Sequence, residues 1–381
     1  MDDEGRRLDP ERQRRARQYA AVRRRLSLLE LAASAAYLTL WLASGWTLSA
    51  QSAWRSVLPG VAGWLEPALM ALAVGLPWMI VTFPLDYYIG FVLPHRYELS
   101  TQTIAGWLTD QAKGLAVSAA LGIPLLVGLY GLMRWTPDAW WLGAATGYAL
   151  VTTVLAVLSP VLLLPLFYNL QPLGQEHEGL RQRLLGLART AGARIEGVYQ
   201  FNMSRRTKAA NAALTGLGRT RRILLGDTLL ASFSDDEIET VLAHELAHHV
   251  HGDIPLSLLV GTGLSLGGFY LVAIGLDQLG GGVGLTSAAD PAGLPLLALL
   301  FGAFGLLTMP LGNAFSRWRE RLADEMALNL THKPVAFARA MTRLANQNLA
   351  DADPPRWVVW LLSSHPPLRD RIARAEQMQS M

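Results

Sequence analysis

The 381-residue sequence has no cysteine. That rules out a disulfide framework and any thiolate ligand, so a metal site here would have to be built from histidine and carboxylate. Charge is also scarce. Only 17% of residues are Asp, Glu, Lys or Arg, whereas 51% are hydrophobic, and the mean hydropathy is +0.25. Length alone suggests two or three soluble domains, but this composition points to a membrane protein. The net charge of +3 is carried mostly by arginine. In a soluble protein a basic excess could mean nucleic acid. Here the apolar runs make the distribution of positive charge across a bilayer the better explanation, and no nucleic-acid partner is expected. There is no internal repeat and no long low-complexity tract.

Residues 1–25 are polar, with nine arginines between Arg6 and Arg25. The apolar run that follows, about 26–48, is too long for a signal-peptide core and lacks a clear small-residue cleavage site, so it is expected to remain as a first span. Five further runs, at about 67–93, 115–132, 141–166, 254–276 and 294–311, each approach the ~20 residues that cross the hydrocarbon core. Pro77, Pro84, Pro124, Pro160, Pro165 and Pro310 interrupt several of them, which a bundle tolerates. Trp64, Trp135, Trp140 and Trp141 lie near run ends, as interfacial aromatics do. The loops near 49–65 and 133–140 carry one arginine each, and 278–293 carries no basic residue. The basic residues gather on the other side, which places both termini and residues 167–253 in the cytoplasm, in a bacterial inner membrane.

The expected fold is predominantly α: a polytopic membrane protein of about six transmembrane helices with a cytoplasmic α+β domain. Its parts are a basic N-terminus (1–25), a four-helix transmembrane region (26–166), a cytoplasmic insert (167–253), a transmembrane hairpin (254–317) and a cytoplasmic C-terminal part (318–381). Within the insert, 180–191 reads as a helix and 197–202, 208–214 and 222–226 as short strands, with a turn at Gly216-Leu217-Gly218.

The chemistry gathers at His244-Glu245-Leu246-Ala247-His248. Four residues apart on a helix, the two imidazoles leave the same face one turn apart and can share one Zn²⁺. Glu245, beside the first histidine, can take a proton from the attacking water. Ser234-Asp235-Asp236-Glu237 reads as a capping box, and Ile238, Val241, Leu242 and Leu246 follow at helical spacing. A third ligand must come from the same membrane side, where the chain returns after the sixth run. Glu320 and Asp324 stand there, again four apart. One can bind the metal while the other orients a ligand histidine.

These motifs resemble the integral-membrane zinc metallopeptidases of the type I CAAX prenyl protease group, related to the HtpX-like membrane proteases. The resemblance runs from about His95 to Glu376. It rests on the 95–103 stretch His-Arg-Tyr-Glu-Leu-Ser-Thr-Gln-Thr, on Asn211-Ala212 with Gly216 and Gly226-Asp227-Thr228-Leu229, on the histidine motif, on Ser316-Arg317 with Glu320 and Asp324, and on His365-Pro366-Pro367. It implies His244, His248 and Glu320 as ligands of one zinc per chain, Glu245 as catalytic base and Asp324 as the group orienting a ligand histidine. It also implies Asn211, with Ala212, and His365 at the substrate backbone or its oxyanion. The eukaryotic members are similar to a seven-span barrel, whereas six spans are counted here.

Elsewhere, His249 and His251 are read as ordinary helix-end residues, and His95 and His177 as interfacial or surface groups. Glu30 lies near a run end, where it can snorkel or pair, and Asp86 lies where it can line a polar interior. The partners implied are the bilayer and a peptide or protein substrate that is membrane-bound or lipid-anchored. Two other readings are weighed beside this one: a membrane protease of misfolded proteins without prenyl specificity, and a non-enzymatic scaffold or transporter that uses zinc structurally.

Overall fold

Asp9 starts the first helix, its carboxylate accepting the backbone N–H groups of Glu11 at 2.8 Å and Arg12 at 2.9 Å. In this computed structural model, which describes residues 7–57, 63–216 and 221–379, α1 (Pro10–Ala43) is followed by the short α2 (Trp46–Val57). Next comes α3 (Glu66–Tyr87), which runs through a π-helical turn at Tyr88–Val92 into α4 (Leu93–Arg96). Then come α5 (Ile104–Trp135), α6 (Trp140–Leu162) and α7 (Leu164–Phe167). The insert holds β1 (Leu170–Pro172), α8 (Glu178–Thr190), β2 (Gly197–Phe201), β3 (Ala212–Thr215), β4 (Arg222–Gly226), α9 (Asp227–Ser232) and α10 (Asp235–Val250). Two long helices follow, α11 (Asp253–Gly280) and α12 (Leu294–Thr331), then α13 (Pro334–Gln347), α14 (Arg356–Leu362) and α15 (Leu368–Gln379).

Six helical stretches among the described residues are long and apolar enough to cross a membrane: Pro10–Ala43, Glu66–Arg96, Ile104–Trp135, Trp140–Leu162, Asp253–Val283 and Pro291–Thr331. At most 22% of the apolar window of any of them is buried inside the protein. Their apolar side chains therefore face outward, which is stable only in lipid. Pro77, Pro84, Pro124, Pro160 and Pro310 sit inside continuous helices, so most of the expected interruptions are absorbed. Trp64 and Trp135 are exposed, as interfacial residues would be, but Trp140 is not. It is buried against Tyr130, Met133 and Val272, because α6 and α11 pack closely at that end.

The insert folds as a four-stranded sheet in the order β1-β2-β4-β3. β2 and β4 are parallel, and the two outer pairs are antiparallel. β3 is thus an edge strand. It is shorter than the 208–214 expected, and β1 was not expected at all; its three residues include Pro172, too short and too irregular a run to read as a strand. Leu217 and Gly218 of the expected turn lie outside the described residues. Leu184, Ile223, Leu225, Leu229, Ile238, Leu242 and Phe337 close the core between sheet and helices. Each such buried side chain stabilises by roughly 1.5–3 kcal/mol.

The capping box holds as expected. Ser234 N–H donates to Glu237 Oε2 at 2.8 Å, and Glu237 N–H donates to Ser234 Oγ at 3.4 Å. Arg183 of α8 and Lys333 bind Asp236 and Glu239, which ties the start of α10 to its neighbours. At the other end Gly252 adopts φ +65°, open to glycine at little cost, and turns α10 into α11.

Candidate metal centre

α10 and α12 face each other, and the site lies between them. Nε2 of His244 and Nε2 of His248 stand 3.2 Å apart. From α12, Glu320 places Oε2 at 3.3 Å from His244 Nε2 and Oε1 at 3.5 Å from His248 Nε2. One ligand atom from each of the three residues lies within 4.8 Å of the others, the only such group among the described residues. The other nitrogen of each ring is held by an aspartate. His244 Nδ1 is 2.9 Å from Asp324 Oδ1, and His248 Nδ1 is 2.6 Å from Asp253 Oδ2. A carboxylate at Nδ1 keeps the proton there, which leaves the Nε2 lone pairs aimed at each other and at a carboxylate.

Three electron-rich atoms converging in a buried pocket repel one another unless a cation lies between them. Glu320 Oε2 makes the same point. It is close to His244, yet it is buried without a well-directed hydrogen bond. Burial pushes the His244 imidazole down, but the neighbouring carboxylates of Asp324 and Glu320 outweigh it and raise the pKa to about 9. The pocket thus attracts positive charge. Two imidazoles and a carboxylate, with no fourth protein ligand grouped with them among the described residues, fit a zinc site that keeps an open position.

Both aspartates are buried and paired. Arg371 of α15 donates from Nε to Asp324 Oδ2 at 2.8 Å and from a terminal nitrogen to Oδ1 at 2.6 Å. Arg319 donates from Nε to Asp253 Oδ1 at 2.7 Å and also reaches the His251 carbonyl at 3.3 Å. These fork contacts neutralise carboxylates that burial would otherwise penalise. Asp253, Arg319 and Arg371 were missed in the sequence. The signal for Asp253 was its place five residues after His248, across a glycine. Arg371 is 127 residues from His244 and carries no local signal.

Glu245 lines a cavity of about 570 Å³ with Asn211, Ala212, Glu320 and His365. Burial raises its pKa. The imidazoles of His244 and His248 pull it down, Glu320 raises it, and the backbone of Leu214 lowers it. His365 Nε2 is 3.2 Å from Glu320 Oε1, and its Nδ1 is 2.9 Å from Ser364 Oγ. Arg317 anchors the approach to it, donating to the Ser363 carbonyl at 2.6 Å. The Asn211 carbonyl accepts from Gly226 N–H at 2.9 Å. His249 is more than a helix-end residue. Its Nε2 donates to the Leu214 carbonyl at 3.3 Å and ties α10 to β3. His95 bridges the carbonyls of Phe91 and Gln102, a structural place.

Fold and site together define a membrane-integral metallopeptidase. A family model described as peptidase family M48 matches residues 174–379. A second, described as CAAX prenyl protease N-terminal, five membrane helices, matches residues 5–169. Within that second region four of the described helices are long enough to span, and α2, at 12 residues, is not. The uncharacterised metalloprotease YhfN of Bacillus subtilis is 33% identical over 339 residues, covering 83% of this chain and 77% of that protein. CAAX prenyl protease 1 of Saccharomyces cerevisiae is 29% identical over 318 residues, covering 77% of this chain and 68% of that protein. The crystal structure of S. mikatae Ste24p shares the fold, with a TM-score of 0.78 at 22% identity over 96% of this chain and 89% of that chain. The chain belongs to peptidase family M48.

Proposed function

We propose that the protein is a zinc metalloendopeptidase that hydrolyses peptide bonds of membrane-associated or lipid-anchored polypeptides, in the manner of the CAAX prenyl proteases it resembles. The observation that carries this reading is the convergence of two Nε2 lone pairs and the orphaned Glu320 Oε2 on one buried point. His244, His248 and Glu320 would hold the zinc. When bound, zinc supplies Lewis acidity toward the scissile carbonyl and the attacking water.

The remaining steps fall to the chain's own residues. Glu245 accepts the water proton and returns it to the leaving amine; burial, which raises its pKa, makes it a stronger base than an exposed glutamate. His365 donates from the rim of the cavity to the developing oxyanion. The free edge of β3 takes the substrate backbone as an added strand, with Asn211 and Ala212 beside the scissile bond. Asp324 and Asp253 keep the two ligand rings in orientation. The site faces the cytoplasm of a bacterial inner membrane, a reading supported by the arginine-rich segment that leads into α1.

The test is cleavage of a peptide library, with and without a farnesyl group, by purified protein that has been stripped with chelator and reloaded with zinc. Activity that returns only with zinc is expected, and activity indifferent to the metal overturns the reading. Glu245→Gln should keep its zinc and lose turnover about 10²–10⁴-fold. Wild-type turnover in that variant removes Glu245 from its role. Cysteine labels at Gly281 and Ser204 should react from opposite sides of the membrane, and reaction from one side overturns the orientation.

A further inference from the structure

The open edge of β3 is shorter than the strand suggests. The Asn211 carbonyl is bound by Gly226 of β4. Backbone groups alternate along a strand, so those of residues 210, 212 and 214 point to the free edge. Leu214 is not available there, because its carbonyl accepts from His249. Ala210 is taken too. Its N–H donates to Asn348 Oδ1 at 2.8 Å, and its carbonyl accepts from Asn348 Nδ2 at 3.1 Å. One carboxamide thus makes both bonds that a neighbouring strand would make. Gln347 Nε2 extends the cover to the Lys208 carbonyl at 2.8 Å. Among the described residues no hydrogen bond engages the outward amide and carbonyl of Ala212, which borders the cavity with His244 and Glu245.

Asn348 is held firmly in this position. It ends α13, and the chain then turns through Leu349 at φ +45°, a left-handed conformation unfavourable for a buried leucine, while Ala350 N–H donates back to the Ala345 carbonyl at 3.0 Å. From the far end of the sequence, Gln13 of α1 grips the next residues. Its Nε2 donates to the Ala350 carbonyl at 3.2 Å, and its Oε1 accepts Ala352 N–H at 3.0 Å.

We propose that Asn348 is a register stop: by occupying Ala210 it leaves Ala212 as the single pairing point for an extended substrate, and so confines cleavage to one bond. This rests on the reading of β3 as the strand that receives substrate. Asn348 lines the same cavity, but its carboxamide holds the Ala210 backbone rather than a reacting group, so it is a positioning residue. Side chains on a strand repeat every second residue, so a substrate freed to pair at Ala210 moves by two residues and keeps the same face toward the cavity.

The experiment compares the products of one long peptide by mass spectrometry for the wild type, Asn348→Ala and Asn348→Asp. The wild type should cut one bond. Asn348→Ala should add a cut two residues away, raised about tenfold over its wild-type trace, as expected for removal of two competing hydrogen bonds. Asn348→Asp keeps the acceptor for Ala210 N–H and loses the donor, so it should fall between. A lower rate with an unchanged cut site in Asn348→Ala overturns the proposal. Should that variant not fold, amide exchange on the wild type decides: Ala210 N–H must be protected without peptide, and rapid exchange there overturns the stop. Peptide bound to the Glu245→Gln protein should in turn slow exchange at Ala212. Failure at Ala212 is failure of the strand-addition reading, whereas protection at Ala212 with an unmoved cut in Asn348→Ala is failure of the stop alone.

Discussion

The two histidines of the candidate metal site are supported by the same pair of groups, an aspartate backed by an arginine, but the pairs are assembled from different distances. His248 takes Asp253 from five residues away, across the Gly252 turn, and Arg319 joins them from α12. His244 takes Asp324 from α12 and Arg371 from α15. The first arm sits where α10 enters a membrane helix, and the second reaches into the core of the C-terminal region. Their burial differs accordingly. The His244 and Asp324 side chains are 9% and 4% exposed, against 24% and 11% for His248 and Asp253. A hydrogen bond weakened by water is a looser constraint, so the deeper arm should govern the ring it holds more strictly.

The largest effect should come from removing what the two arms share. Glu320→Ala leaves two imidazoles and should strip most zinc and activity together, read as metal content of the purified protein. Zinc retained in that variant would mean that another group completes the site. Next come the arms themselves. Asp324→Ala should keep measurable zinc with affinity or activity lowered about 10–100-fold, and Asp253→Ala should fall at the mild end of that range. Zinc titrations of the two variants rank them, and a larger loss for Asp253→Ala would reverse the argument from burial. If Asp324→Ala empties the site while Glu320→Ala stays loaded, the two acids have been assigned the wrong way round.

The arginines behind the two aspartates give a smaller effect. Arg371→Met leaves Asp324 buried with one partner fewer and should cost about 3–5 kcal/mol, the usual penalty for an uncompensated buried charge. The double change Arg371→Met with Asp324→Asn should recover much of it in thermal unfolding. Smallest of all is Gly252→Ala. The added Cβ meets only Pro255 Cγ at 3.6 Å, so the penalty is the left-handed backbone alone, about 1–2 kcal/mol. It should loosen the His248 arm and leave His244 untouched.

Much of this was legible because it is local. The α10 helix announces itself through the Ser234–Glu237 box and a 3.6-residue apolar repeat, and Glu320 and Asp324 share a face by spacing alone. The six spans were legible in composition, though not their lengths, since apolar content ends at the lipid while α12 continues unbroken to Thr331. What was hidden depends on chain folding. Asp253 reads as the polar start of a span until Gly252 is seen to turn it back on His248. Arg371 looks like one of several arginines on a terminal helix until α13 and α15 bring it beneath Asp324. Asn348 is one amide among many until its partner Ala210 is known.

The unbroken α12 has a mechanical consequence. At 38 residues it is about 57 Å long, roughly twice the hydrocarbon thickness, and Glu320 rides on it about 39 Å from its start. The helix acts as a lever: a change in tilt of about 3° about its Leu294 end would sweep Glu320 through about 2 Å, ten times the ~0.2 Å tolerance of a metal–ligand distance. A change in α12 tilt is therefore a displacement at the candidate metal site. The Arg319–Asp253 ion pair, next to Glu320 in sequence, joins α12 to the start of α11 and braces the two helices against each other at that point.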